Sequence, residues 1–378
     1  MKKASGRRDG YGLKLDPDYR PTVSILIPTY NEEPVIGKKV ENIASINYQT
    51  EKLELIVIDG GSTDATLDSA KEVLRKTGLR GTVISEGGRN GKAAVLNRGL
   101  KAARGELVCI SDAECEWERD ALANATKYLS DPSVGSVSGI HEIRNPIETL
   151  STNVETSYRS IYRILRIGES KIHSTPVAEG ELQVFRRNDL EGFDTAIGGD
   201  DTDAALGMVK RGLRSISAQD AVFFEPTPRT WRVRFKQKIR RGQHVLQAFV
   251  KHKGMLFRAR SPFSGLIFPM EFFLYVINPL LFLPFAVLTA FVLVDVPILA
   301  PASLLGLGVV TLSRSLRQSA ITYLTSNLTM IGAVLQEARG FKQLQWTKID
   351  ETRQQREPGV RRQVPRTTVM QKPHSLLK

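Results

Sequence analysis

Leu107-Val108-Cys109-Ile110-Ser111-Asp112-Ala113-Glu114 joins a short apolar run, preceded by Gly105, to two carboxylates two residues apart. Such a run is long enough for a buried strand and too short for a helix. If the extended geometry persists, Asp112 and Glu114 point to the same side at the C-terminal edge of the strand, where open α/β sheets place ligands. Two carboxylates there suit a hard divalent cation that is also held by substrate phosphates. An isolated Asp-x-Glu is more often a solvated turn, so the flanking sequence decides.

Upstream, Val23-Ser24-Ile25-Leu26-Ile27-Pro28 predicts a strand, and Thr29-Tyr30-Asn31-Glu32-Glu33-Pro34 a turn with Pro34 at the first helical position. Residues 53–58 form a second apolar run ending in Asp59-Gly60-Gly61-Ser62-Thr63-Asp64. The glycines permit a tight turn; Ser62, Thr63 or Asp64 caps a helix that runs to Thr77 and ends at Gly78. A third strand follows at 82–85, a helix near 92–103, the fourth strand at 107–111 and a fifth at 133–140. Strands alternating with helices predict an α/β fold with a parallel, doubly wound sheet.

The turn Gly87-Gly88-Arg89-Asn90-Gly91-Lys92-Ala93 narrowly misses a phosphate-binding P-loop: three residues, not four, separate Gly87 from Gly91, and Ala93 replaces the magnesium-binding Ser or Thr. The dinucleotide fingerprint Gly-x-Gly-x-x-Gly is absent too. An ATPase and a dehydrogenase are both rejected, and Lys92 remains as a diphosphate contact at a helix N-terminus.

The 378 residues carry a formal charge of +13. Residues 229–260 hold eleven Lys and Arg with no Asp or Glu, beside an apolar region. That juxtaposition favours anionic lipid headgroups, at roughly 1 kcal/mol per basic residue, over nucleic acid. Cys109 and Cys115 are the two cysteines and suit neither a disulfide framework nor a zinc site; Cys109 is expected to pack. The polar, basic N-terminus lacks an apolar signal region, which places residues 1–250 in the cytosol. His141, His173 and His244 have no ligand spacing.

Residues 275–294 are twenty without a charge, enough to cross a hydrocarbon core of about 30 Å. Residues 296–312 are seventeen more, with Asp295 between the runs. Basic residues at both outer ends predict a transmembrane hairpin with its ends in the cytosol, hence a multi-pass protein of the cell membrane. The competing reading is a buried helix pair. Residues 318–336 are uncharged but rich in Ser, Thr, Asn and Gln. The expected organisation is a basic arm (1–20), an α/β domain (21–256), an interfacial segment interrupted by Pro262 and Pro269 (257–274), the hairpin (275–313), a third apolar helix, interfacial or transmembrane (314–340), and a basic, partly disordered tail (341–378).

Val-Ser-Ile-Leu-Ile-Pro-Thr-Tyr-Asn-Glu, Val-Ile-Asp-Gly-Gly-Ser-Thr-Asp, Asn-Gly-Lys-Ala-Ala-Val-Leu-Asn-Arg-Gly and Ser-Asp-Ala-Glu occur in the order and spacing of family 2 glycosyltransferases. The segment 192–203, Gly-Phe-Asp-Thr-Ala-Ile-Gly-Gly-Asp-Asp-Thr-Asp, resembles that family's Gly-Phe-Asp…Glu-Asp stretch. Gln237-Lys238-Ile239-Arg240-Arg241 resembles the Gln-x-x-Arg-Trp motif of its membrane-bound cellulose, chitin and hyaluronan synthases. The resemblance spans about residues 22–245.

It implies a GT-A fold and transfer of a sugar, with inversion, from a nucleotide diphosphate sugar to a glycan or a lipid-linked acceptor. Pro28, Thr29, Asn31 and Glu32 would line the base and ribose side, and Asp59 would accept a hydrogen bond from the base, expected to be uracil. Asp112 and Glu114 match the Asp-x-Asp motif, whose second carboxylate ligates Mg2+ or Mn2+ against the departing diphosphate. Asp201 matches the general base, with Asp200 beside it raising its pKa by like-charge repulsion. The plain alternative for these aspartates is a solvated helix cap before 204–210. Gln237 and Arg240 would contact acceptor and diphosphate, and Glu181 would lie near the acceptor. The implied partners are a nucleotide sugar, the acceptor and membrane lipids, with no nucleic acid.

Three positions depart from the family pattern: Glu114 for the second Asp, Asp200 for Glu, and Arg241 for the tryptophan that flanks an acceptor sugar in polymerising members. The last weakens the expectation of a processive product and leaves single transfer open. A polyprenyl-phosphate monosaccharide synthase and a noncatalytic membrane scaffold are the competing functions.

Overall fold

The computed structural model describes residues 10–145, 148–258, 261–296, 298, 300–344 and 350–353. Residues 1–9 of the expected basic arm and most of the expected tail lie outside the described residues.

Eight strands make one sheet in the order β3-β2-β1-β4-β7-β6-β8-β5. They are β1 (Val23–Thr29), β2 (Leu53–Asp59), β3 (Gly81–Ser85), β4 (Leu107–Ile110), β5 (Glu116–Trp117), β6 (Val134–Ile143), β7 (Gln183–Arg186) and β8 (Arg214–Glu225). β3, β2, β1 and β4 run parallel, as do β6 and β8; β7 is antiparallel to both its neighbours and β5 to β8. The sheet is therefore mixed and mostly parallel. The four strands expected at the front of the chain are present almost residue for residue, and the expected fifth is β6. The two antiparallel strands, β5 and β7, are not picked out by the sequence, because they are two and four residues long and carry almost no periodicity.

Alternation along β1 explains how both faces are covered. Val23, Ile25 and Ile27 join one buried cluster with Leu53, Leu55 and Val57; Leu26 joins the other with Ile56, Ile58, Val108 and Ile110. Each such side chain contributes roughly 1.5–3 kcal/mol when fully buried. Helices α1 (Glu33–Ala44), with Pro34 in its first turn, and α2 (Thr66–Thr77) cover the first face. α3 (Lys92–Ala102) supplies Val95 and Leu96 to the second. α2 ends at Gly78 with φ 68°, the left-handed cap expected from the sequence. The later helices of this part are α4 (Ala121–Thr126), α5 (Leu150–Ile172), α6 (Asp200–Lys210) and α7 (Trp231–Lys251).

Helix α8 runs unbroken over Phe263–Asp295 and is the one helix, among the described residues, long and apolar enough to cross a membrane. Its first turns absorb most of the segment expected to be interfacial: Phe263, Ile267 and Phe268 are fully buried against Phe249 of α7. π-helical turns flank Pro269 and widen the backbone where its ring removes a donor. Farther along, Leu280, Leu281, Leu283, Phe285, Leu288 and Phe291 are all exposed. The second arm of the expected hairpin is shorter than needed, which does not support a multi-pass chain. The backbone leaves helical geometry at Val296, and α9 (Ala300–Leu312) has 13 residues, about 20 Å of helix. The third apolar segment is α10 (Arg314–Ala338), packed on α5 and α7 with Gly332 against Ile239 and Gly242 against Met330. A four-residue helix, α11 (Asp350–Arg353), ends the described chain.

The approach of β4 to β1 depends on Gly105. Its amide donates to Ser24 Oγ at 2.8 Å, and a Cβ there would lie 2.5 Å from Ser24 N and 2.9 Å from Leu107 O. Gly105→Ala is therefore expected to destabilise the fold by about 1–3 kcal/mol, since backbone atoms on both sides cannot give way. Thermal unfolding of the variant should show a lowered Tm.

Candidate active site

The parallel strands end on one side of the sheet, and β1 lies between β2 and β4 at the point where the chain order reverses. Loops leaving β1 and β4 diverge there and leave a crevice. A cleft of about 510 Å³ opens at this place, lined by Pro28, Glu32, Lys92, Asp112, Glu114, Glu181, Asp200, Asp201, Gln237, Arg240 and Arg241. Residues from six separate stretches of sequence thus share one cavity. Asp112 and Glu114 follow β4, Lys92 opens α3, the aspartates form the first turn of α6, and Gln237, Arg240 and Arg241 project from α7. Thr29, Asn31 and Asp59 do not line it. Asp59, expected to bind the base, is 1% exposed and accepts from the amides of Gly61 and Ser62 at 3.1 and 3.0 Å. Thr29 is buried behind it, and Asn31, at φ 55°, accepts from Thr63 N at 2.8 Å. These three shape the turns beside the cleft instead of facing it.

The site is dominated by carboxylates in a poorly solvated space. Lys92 Nζ lies 2.8 Å from Asp112 Oδ1 and 3.6 Å from Asp200 Oδ2, so one ammonium bridges the strand end and the helix start. Burial, reinforced by Asp200, pushes the Asp201 carboxyl up to about 7. Asp200 is raised as well, by burial and Asp112, and its Oδ2 is buried without a hydrogen bond. The aspartates occupy the first turn of α6, but the cap is Gly199 and no side chain caps the helix; Asp200 and Asp201 line the cleft, so they are not the solvated cap of the plain alternative. Burial likewise pushes Glu114 up to about 8, against the pull of Arg353. Among the described residues no cluster of three or more acid, His or Cys side chains converges as a metal cage. Asp112 and Glu114 are two carboxylates on one cavity, paired with Lys92 and Arg353, and a hard cation held by them would take its other oxygens from phosphate and water.

The opposite wall is an ion-pair lattice. Arg241, at the family's tryptophan position, donates to Glu225 Oε1 at 3.1 Å and Glu181 Oε1 at 3.3 Å. Against the cost of burial, Arg241 and His141 hold Glu225 down to about 2, while Glu181 is raised by burial and Glu225. Glu155 of α5 meets Arg234 at 2.9 Å, Lys238 at 2.8 Å and Arg159 at 3.3 Å. Tyr158, Tyr162, Tyr275 and, from α10, Thr322, Ser326 and Asn327 continue the cleft toward α8. Of this wall the sequence motifs pointed to Glu181 and Arg241, and not to Glu225 or the residues of α5. The signal was present in α5, where Glu155, Tyr158, Arg159, Tyr162, Arg166 and Glu169 recur at helical spacing. No comparable pattern marks Arg353.

A family profile described as Glycosyl transferase family 2 matches residues 24–193. The solved structure of a mannosyltransferase from Pyrobaculum calidifontis, in complex with GDP-Man and Mn2+, is 34% identical, with TM-score 0.75, and the match covers 89% of this chain and 92% of that one. A probable glycosyltransferase of Bacillus subtilis is 29% identical over 68% of this chain and 63% of its own length. A poly-beta-1,6-N-acetyl-D-glucosamine synthase of Staphylococcus aureus is 25% identical over 62% and 58%. The chain thus spans less than two thirds of these curated relatives.

The raised Asp201 carboxyl has a stability signature. Between its unfolded value of about 3.9 and its folded value of about 7, the folded protein binds the proton more tightly, so stability contributed by this group is lost as pH rises through that window. Asp201→Asn removes the loss. Its Tm should exceed that of the wild type by a few degrees at pH 8 and match it near pH 4, as scanning calorimetry across pH can test.

Proposed function

The chain belongs to glycosyl transferase family 2 and is a glycosyltransferase, and from that premise we propose that it transfers one sugar, with inversion, from a nucleotide diphosphate sugar to a glycan or lipid-linked acceptor at a membrane surface. The observation that carries this reading is the shared cleft: Asp112 and Glu114 open on the same cavity as Asp201.

The donor diphosphate takes the side bounded by Glu32, Lys92, Asp112, Glu114 and Arg240. Arg240 is suited to bidentate phosphate recognition. A Mg2+ or Mn2+ ion, which Asp112 and Glu114 would hold, would supply neutralisation of charge on the leaving diphosphate. Asp201 takes the proton of the acceptor hydroxyl as its oxygen attacks the anomeric carbon and the bond to the diphosphate breaks. A carboxyl held near 7 is a stronger base than an ordinary aspartate and still ionises at neutral pH. Uridine was the nucleotide expected from the sequence; the GDP-Man carried by the Pyrobaculum relative makes guanosine an equal candidate.

Arg241 favours single transfer over polymerisation. Its guanidinium is tied to Glu181 and Glu225 where a processive enzyme presents an aromatic ring to the acceptor. The apolar surface of α8 supports anchoring of the site to a bilayer, and the neutral wall running from Tyr158 to Asn327 supports an acceptor that arrives from that side. Cations on that wall (Arg159, Arg234, Lys238) are already matched by Glu155 and Glu179, which weighs against transfer to a bare polyprenyl phosphate.

Full-length protein incubated with radiolabelled UDP- and GDP-sugars and native membranes should yield a labelled product dependent on Mg2+ or Mn2+. Asp201→Asn should lower kcat by about 10²-fold or more while donor binding by calorimetry persists. Wild-type turnover by that variant would overturn the mechanism, and a product extending to long polymer would overturn single transfer.

A further inference from the structure

Glu32 and Glu114 are enclosed carboxylates on the donor side of the cleft, with side chains 3% and 10% exposed. They do not face each other across water. Arg353, from α11 near the far end of the chain, inserts its side chain between them and is 7% exposed. Nε donates to Glu32 Oε2 at 2.9 Å and Nη2 to Glu32 Oε1 at 2.6 Å, a bidentate pair. The same Nη2 forms an ion pair with Glu114 Oε2, and Nη1 donates to Thr352 Oγ1 at 3.0 Å. Every guanidinium nitrogen is engaged. A planar cation with a fixed fork of donors is the side chain best shaped to join two carboxylates in this way.

The preceding segment is fastened to the same cleft. Gln243 Nε2 donates to Phe341 O at 2.7 Å, and the Gln343 carbonyl lies 2.9 Å from His244 Nε2. Leu344 lines the cavity, and its carbonyl passes so close to Gly91 that a Cβ there would lie 3.0 Å away. Gly91 precedes Lys92, so the C-terminal segment crosses the cleft at the turn that presents the ammonium to Asp112.

We propose that Arg353 is an exchangeable counter-ion of the donor site: it occupies the Glu114 carboxylate that a divalent cation needs, and the two positive charges take that carboxylate alternately. The proposal rests on the metal reading of Asp112 and Glu114 given above. Two cations on one buried carboxylate repel each other in a space of low effective dielectric. Arginine occupancy therefore weakens apparent metal affinity by the fraction of sites it holds, and by linkage the metal loosens the arginine to the same degree. Glu32, which the metal does not require, keeps the guanidinium close by when Glu114 is taken.

Titration of the full-length protein with Mn2+ alone, followed by electron paramagnetic resonance, tests this. Arg353→Gln should bind Mn2+ about tenfold more tightly than wild type, the arginine holding most sites in its absence. Saturating Mn2+ should also speed amide exchange at residues 350–353 of the wild-type chain, a readout independent of any variant. Equal or weaker Mn2+ binding by Arg353→Gln, or unchanged exchange, would overturn the exchange. Glu114→Gln separates the two layers. If it loses Mn2+ while Arg353→Gln gains nothing, only the exchange fails; if it binds Mn2+ as wild type does, the metal reading falls and the exchange with it.

Discussion

Lys92 between Asp112 and Asp200 is the contact on which the site's geometry depends. Asp112 ends the parallel half of the sheet and Asp200 begins α6, some ninety residues later. Asp200 is buried and Asp112 half-buried, and like charges at close range are costly where water is scarce. A single ammonium, placed by the first turn of α3, holds them together at 2.8 and 3.6 Å. Arg353 does the equivalent for Glu32 and Glu114. The cleft thus keeps acid groups concentrated without forcing all of them to be charged, and Asp201, beside Asp200, has the raised proton affinity on which its proposed role as general base rests.

Charge pairing also distinguishes the two sides of the cavity in the proposed reading. On the donor side two cations, Lys92 and Arg353, hold Asp112, Glu32 and Glu114, and Arg240 lines the same space. On the acceptor side nearly every cation has a matched anion: Arg241 with Glu181 and Glu225, Arg159 with Glu179 and Glu155, and Arg234 and Lys238 with Glu155. Such a wall presents little net charge and many fixed hydrogen-bonding groups, a chemistry that suits hydroxyl-rich sugars better than anions. α10 continues it with hydroxyl and amide side chains. Its Ser, Thr and Asn content, unusual for an apolar helix, follows from lining this cleft.

The parallel strands and the residues at their ends were legible in the sequence because each is local: an apolar run, a turn with glycine, a capped helix. Gly78 caps α2, Pro34 stands in the first turn of α1, and Asp112 and Glu114 line the cleft beyond β4, each where its spacing places it. The same local reasoning assigned Asp59 to the base, and it could not foresee that the amides of Gly61 and Ser62 would close around its carboxylate. It also split α8 at its prolines, since the π turns that accommodate Pro269 are set by packing of Phe263 and Phe268 on Phe249.

By itself, the order of motifs determined the α/β class, the sugar-transfer chemistry and a cleft at the edge of the fourth strand, because those features depend on residue type and short spacing. Tertiary structure alone decided which acids are buried together, that Arg241 is tied to Glu181 and Glu225, that α10 belongs to the cleft, and that Arg353 reaches Glu114 across more than two hundred residues of chain. Ion pairs between distant segments leave no periodic trace in a sequence, since either partner alone looks like an ordinary surface charge.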